Sequence, residues 1–267
     1  MAQLTHTDDP FRLDGRTAFV SGAAGHLGRA MTLALAHAGA HVIVNGRDDQ
    51  RLEEFEHDLR SAKLSAERAT FNVMDTAKVR EFFSGRVRLD IVVNNAVSMR
   101  PRAMRALEPE DFDTAYRSQV TAAFEIARSA LPALRRAAAE AGEASVVNVA
   151  SMYGVVAPDA RVYSAPEQAS PFHYGPAKAA LVQLTRHLAA QLGADRIRVN
   201  ALVPGPFPAP AIVQKDPAFA ARLGGRTMFG RTGQPEEIAG PLLFLASRAS
   251  SFVTGTTVAV DGGWTAW

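Results

Sequence analysis

Short runs of β-branched and apolar residues alternate along this chain with longer stretches of helical periodicity, and no other feature limits its fold so strongly. Thr17-Ala18-Phe19-Val20 is followed by a helical pattern from Leu27 to His37. His41-Val42-Ile43-Val44 is followed by a charged one from Asp48 to Ala62. The rhythm continues through Ala69-Thr70-Phe71-Asn72-Val73, Asp90-Ile91-Val92-Val93, Ser145 to Val149, Arg196 to Ala201 and Thr257 to Val260. Strands separated by helices are joined by crossovers, and crossovers make a parallel sheet whose strands are apolar on both faces. The pattern predicts an α/β, doubly wound fold, a seven-stranded parallel sheet with helices on both faces. It is read as a single domain over 1–267 with an N-terminal tail at 1–12.

Composition narrows the function classes. The 267 residues are 47% hydrophobic and 21% charged, which is ordinary for a globular chain. The formal charge is +2, from 29 basic and 27 acidic side chains, so nothing in the balance calls for nucleic acid. There are no cysteines, which removes disulfides, thiolate metal ligands and a cysteine nucleophile. The seven histidines lack any ligand spacing, and no metal is expected. Met1 to Phe11 carries no signal pattern, and no apolar run approaches the about 18 residues of a membrane span. A cytoplasmic protein acting on a small molecule is expected, with no membrane partner.

Between the first strand and the first helix lies Ser21-Gly22-Ala23-Ala24-Gly25-His26-Leu27-Gly28. Glycines at that place let backbone amides and a helix N-terminus approach a pyrophosphate, as in Rossmann-like sheets. Gly22 suits the turn, and Gly28 suits close packing of helix on strand. The second strand runs into Asn45-Gly46-Arg47, where an acid would grip the ribose hydroxyls of NAD. That acid is missing. Arg47 offers a permanently charged fork suited to a 2′-phosphate, so NADP is expected and NAD is secondary; a solvated arginine opening the next helix is the plainer alternative.

Tyr174-Gly175-Pro176-Ala177-Lys178 opens an apolar helical run. Residues four apart share a helix face, so an ammonium can stand near a phenol whose ordinary pKa is about 10, and pull it toward neutrality for acid/base work. Two segments break the strand–helix rhythm: Val155 to His173, and the substrate-loop region 204–232 with one helical stretch near Pro217 to Leu223. Both follow strands, where open α/β sheets place ligands.

Taken in order, the Ser21–Gly28 loop, Asn94-Asn95-Ala96, Ser151, Tyr174-x-x-x-Lys178 and Pro204-Gly205 resemble the short-chain dehydrogenase/reductase family over Leu13 to Trp264. The resemblance implies an NAD(P)-dependent oxidoreductase acting on a CH–OH group. In it Tyr174 is the acid/base, Lys178 lowers its pKa and holds the nicotinamide ribose, and Ser151 polarises the carbonyl. On the residues alone, a serine at the end of the fifth strand could merely cap the next element. The resemblance also implies cofactor contacts from Gly22, Gly25, His26, Leu27, Gly28, Asn72, Val73, Asn94, Ala96, Pro204 and Gly205 beside Arg47, and assembly as a homotetramer.

Departures from the family pattern are as informative. His26 stands at the middle glycine of the loop, with Gly25 expected to take over the flexible position. Asn72 replaces an aspartate beside adenine. Val97 replaces the glycine that ends Asn94-Asn95-Ala96 and requires a compatible backbone. Gln119 replaces the asparagine that completes the catalytic tetrad, and an extra methylene there can displace a proton-relay water. Pro158 to Phe172 is extra loop.

Val42 to Arg47 and Val260 to Trp267 look like those of gluconate 5-dehydrogenase-type members, so a sugar acid or polyol is the expected substrate, with Arg100, Arg102 and Arg161 as carboxylate partners at the mouth. A 3-oxoacyl carrier-protein reductase-like ketoreductase shares every motif named. A non-catalytic NADP-binding sensor or scaffold is the reading of another class, motivated by His26, Val97 and Gln119.

Overall fold

The computed structural model describes residues 9–99, 102–165 and 169–267. Its sheet holds seven parallel strands, β1 (Thr17–Ser21), β2 (His41–Gly46), β3 (Ala66–Thr70), β4 (Ile91–Asn94), β5 (Ala144–Val149), β6 (Ile197–Pro204) and β7 (Thr257–Val260), in the order β3-β2-β1-β4-β5-β6-β7. The order turns back on itself between β1 and β4, the two strands whose ends part to leave a ligand crevice.

Alternation along β1 explains the two layers. Ala18 and Val20 point into one apolar cluster with Met31, Leu35 and Leu242. Phe19 points into the other, with Phe83, Ile126, Leu134 and Leu188. On the Phe19 side its ring lies 5.1 Å from Phe83 and 5.8 Å from Phe82, edge-on and tilted. Full burial of a phenylalanine contributes roughly 2–3 kcal/mol.

Helices α1 (His26–His37), α2 (Asp49–Ser61) and α3 (Thr76–Ser84) link the first four strands. Asp48 and Asp75 cap α2 and α3, accepting from the amides of Arg51 and Lys78. After β4 come α4 (Pro109–Tyr116), a widened π-turn over Arg117–Thr121, and α5 (Ala122–Ala141), which ends at Gly142 with φ +89°. Helix α6 (Tyr174–Leu192) leads to β6, and α7 (Pro210–Lys215), α8 (Pro217–Gly224) and α9 (Ala239–Ala246) precede β7.

Two expectations shift. The third strand is Ala66–Thr70, not 69–73, because its register with Val42–Gly46 starts at Ala66 and the chain leaves the sheet at Phe71. As an edge strand it carries Glu67 and Arg68, which hid its pattern. The substrate-loop region holds two helices where one was expected, since Pro210 starts a short additional turn before Asp216 caps α8.

Candidate functional site

The C-terminal ends of β1, β2, β4, β5 and β6 surround two adjoining cavities, of about 280 and about 370 Å³. Both are lined by Gly22, Gly25, Ala96 and Val97, so the glycine loop and the end of β4 form their shared wall. The first extends to Arg47, Asn72 and Val73. The second extends over His26, Leu27 and Gly28 to Ser151, Tyr174, Lys178, Pro204 and Gly205.

The glycine loop has the geometry of a backbone cradle. Gly22 takes φ +64°, and a Cβ on Gly28 would stand 2.0 Å from the Gly22 carbonyl oxygen. Gly25, expected to be the flexible position, instead has φ −74° as the residue preceding α1, and Gly22 carries the left-handed turn. Asn95 ties the loop down, donating from Nδ2 to the carbonyls of Ser21 (3.0 Å) and Gly22 (3.1 Å). The Nε2 atom of His26 is buried without a protein partner. Val97 keeps negative φ, so its side chain brings no backbone strain.

At the other end of the first cavity, Arg47 precedes the Asp48 cap and Arg51 lies in the first turn of α2, and neither guanidinium forms an ion pair among the described residues. Asp48 beside them is engaged as the α2 cap, 3.1 Å from the Arg51 amide. Asn72 Oδ1 accepts from the Met74 amide at 3.1 Å, fixing the turn after β3.

Ser151 leaves β5 in an extended conformation, and its hydroxyl accepts from the Tyr153 amide at 3.2 Å. Tyr174 begins α6, and the Lys178 ammonium stands 5.6 Å from its ring centroid. Lys178 donates to the Val149 carbonyl at 2.7 Å. Burial pushes the Lys178 pKa down to about 7. Burial also raises the Tyr174 phenol above its ordinary value, while Ser151 pulls it back. Both groups are desolvated together, and the ammonium donates to the Val149 carbonyl.

Asn94 and Gln119 lie outside both cavities. They line a void of about 10 Å³ beneath, with Ser118 and Lys178. Gln119 sits in the π-turn with both amide atoms unpartnered, and Asn94 Oδ1 is unpartnered as well. Asn94 Nδ2 instead bridges strands to Asn148 Oδ1 at 2.8 Å. π-turns recur at functional sites.

Of the basic side chains expected at the mouth, Arg100 lies outside the described residues. Arg102 pairs with Asp111 at 3.3 Å, and Arg161 forks onto Asp159 at 2.8 and 2.9 Å. Neither guanidinium is left unpaired.

Three further residues belong to the site: Asn95, inside the Asn94-Asn95-Ala96 motif; Arg51, whose only sequence signal is its spacing of four from Arg47; and His173. That ring is fully buried beside Phe112, both nitrogens lack a protein partner, and burial holds its pKa down against the pull of Asp111.

Comparison with known proteins agrees with this geometry. Residues 22–265 match a family model described as Enoyl-(Acyl carrier protein) reductase. The gluconate 5-dehydrogenase of Gluconobacter oxydans is 33% identical over 262 residues, 96% of this chain and 96% of that protein. A 3-oxoacyl-[acyl-carrier-protein] reductase of Thermotoga maritima is 31% identical over 257 residues, 94% of this chain and 98% of that protein. A crystal structure of a gluconate 5-dehydrogenase from Burkholderia cenocepacia J2315, in complex with NADP and tartrate, superposes with a TM-score of 0.85 at 32% identity, covering 97% of this chain and 98% of that one. With a family model matched over nearly its whole length and the glycine loop, Ser151, Tyr174 and Lys178 gathered at one crevice, the chain belongs to the short-chain dehydrogenase/reductase family of oxidoreductases.

Proposed function

We propose that this protein interconverts a secondary alcohol and a ketone with NADP(H), and that its substrate is a sugar acid or polyol. The carrying observation is that one crevice joins a cavity ending at Arg47 and Arg51 to a cavity ending at Ser151, Tyr174 and Lys178.

The residues present fit the dinucleotide. Gly22 and Gly28 keep the loop free of side chains where phosphates approach, His26 and Leu27 open α1 beside them, and Asn72 and Val73 flank the base end. Arg47, with Arg51, supplies charge for a 2′-phosphate. Ala96, Pro204 and Gly205 wall the nicotinamide end, with Asn94 holding the β4 end from below. When bound, the cofactor supplies the hydride.

Reduction leaves negative charge on the carbonyl oxygen, and hydroxyl donors aimed at that oxygen stabilise the transition state. Tyr174, kept protonated by burial, delivers the proton, and Ser151 donates a hydrogen bond. Lys178, whose ammonium is 5.6 Å from the Tyr174 ring, re-supplies the Tyr174 proton and is itself re-protonated from the side of the small void it lines with Asn94 and Gln119. The protein acts in the cytoplasm as a homo-oligomer, tetrameric in keeping with its family; no helix among the described residues is long and apolar enough to cross a membrane.

A second reading, reduction of a 3-oxoacyl thioester, is favoured by Ile212 and Val213, exposed apolar side chains on α7. Purified protein offered NADPH with a keto-sugar acid, a ketose and a 3-oxoacyl ester separates the two. Oxidation of NADPH by the sugar substrates, lost in Tyr174→Phe with NADPH affinity intact, is the expected result. Activity confined to the oxoacyl ester transfers the assignment. NADPH binding without turnover of any ketone leaves only a sensor.

A further inference from the structure

The two cavities share four wall residues, Gly22, Gly25, Ala96 and Val97. The first three carry no side-chain atom beyond Cβ. Val97 alone has a side chain that extends from the shared wall. It is 46% exposed, whereas Val92 and Val93, just before it in β4, are fully buried.

The position is held from both sides. The amides of Asn95 and Ala96 donate to Ser21 Oγ at 2.9 and 3.1 Å, which ties the residues before Val97 to the end of β1. Ser118 Oγ, from the π-turn, donates to the Ser98 carbonyl at 2.9 Å and holds the residue after it. A Cβ on Gly22 would stand 3.1 Å from Ala96 Cα, so the glycine loop and the end of β4 already touch beside it. Branching at Cβ restricts the valine's own rotation. Its two methyls form a fixed apolar step where the cavities meet.

Charge is absent from this step. Arg47, Asp48 and Arg51 line the first cavity only, and Lys178 lines the second only. A ligand group at Val97 is held there by apolar contact and shape.

Resting on the NADP(H) reading above, we infer that Val97 is a positioning residue for the dinucleotide. A ligand that fills both cavities has to cross the step, and it covers the exposed methyls as it does so. A ligand confined to one cavity does not cross. Glycine, which the family pattern has at this position, offers no such contact. Val97 therefore acts on whole dinucleotides, with or without a 2′-phosphate, and leaves half-molecules alone.

The test is titration calorimetry with NADPH, NADH and adenosine 2′,5′-bisphosphate, on the wild type, Val97→Ala and Val97→Phe. Val97→Ala should weaken NADPH and NADH by the same factor, roughly three- to tenfold, the worth of burying about half a valine side chain. Val97→Phe, whose ring obstructs the crossing, should weaken both by roughly tenfold or more. The bisphosphate, which needs only the first cavity, should bind all three proteins within about twofold, and unfolding midpoints should agree within about 2 °C. Loss of bisphosphate affinity in step with the dinucleotides would place Val97 against the adenosine half and overturn the inference. Dinucleotide affinities unmoved in both variants, or raised in Val97→Ala, would overturn it as well. A wild type that binds neither dinucleotide would remove the NADP(H) reading itself.

Discussion

Lys178 Nζ donates to the carbonyl oxygen of Val149 at 2.7 Å, so the helix that starts with Tyr174 is pinned to the end of β5, two residues before Ser151. The contact fixes the relative placement of the two hydroxyls proposed to act on the substrate. It also keeps an amine in a site where water is scarce.

That burial gives a pH signature. The folded pKa of Lys178 lies at about 7, below the ordinary lysine value, so the unfolded chain binds the extra proton between about pH 7 and the lysine range. Stability attributable to this residue therefore rises with pH through that window, by about 1.4 kcal/mol per unit, and is flat below it. Urea unfolding at pH 7, 8 and 9 should show that slope in the difference between wild type and Lys178→Met; a pH-independent difference would refute it.

Arg47→Ala and Arg51→Ala should each weaken NADPH binding roughly ten- to hundredfold, the scale of a charge-assisted hydrogen bond, and leave NADH binding within about twofold. Titration calorimetry with both nucleotides checks this. Equal losses for both would place the arginines away from the 2′-phosphate.

Gly28→Ala puts a methyl 2.0 Å from the Gly22 carbonyl oxygen, a backbone atom that cannot step aside without opening the glycine turn. A destabilisation of about 1–3 kcal/mol is expected. NADPH binding should be lost even well below the unfolding midpoint, as thermal melts paired with calorimetry would show.

Phe19→Ala empties a site where rings of Phe71, Phe82 and Phe83 converge in the sheet layer opposite α1. The expected cost is about 3–5 kcal/mol, read from denaturant unfolding, with the coenzyme affinity of the folded fraction unchanged.

The central strands were legible because burial on both faces leaves little besides apolar residues in β1, β2, β4 and β5. Strand β3 was misplaced for the complementary reason: at the edge, Glu67 and Arg68 are tolerated, and the apolar Phe71 and Val73 belong to the cavity wall beyond it. At the site, residues fixed by local spacing, such as Tyr174 and Lys178, could be read directly. Asn95 could not be told from Asn94, because only the pleat of β4 decides which amide faces the glycine loop and which faces Asn148. The contact between the Tyr153 and Tyr163 hydroxyls, at 2.8 Å, had no sequence signal, since it depends on how a loop folds against α8.

The two guanidinium bonds from Arg222 bear on how this scaffold can be re-purposed. Arg222 of α8 donates to the Val162 carbonyl and to Ser164 Oγ, both at 2.7 Å, and Phe219 of α8 lies 5.6 Å from the Tyr163 ring, so α8 and the 162–164 stretch are held together. Transplanting a relative's loop alone would leave Arg222 facing a foreign backbone and Phe219 without Tyr163. A loop exchanged between homologues is therefore expected to keep its packing only when both segments travel together, while the glycine loop stays tied to Asn95, just past the end of β4.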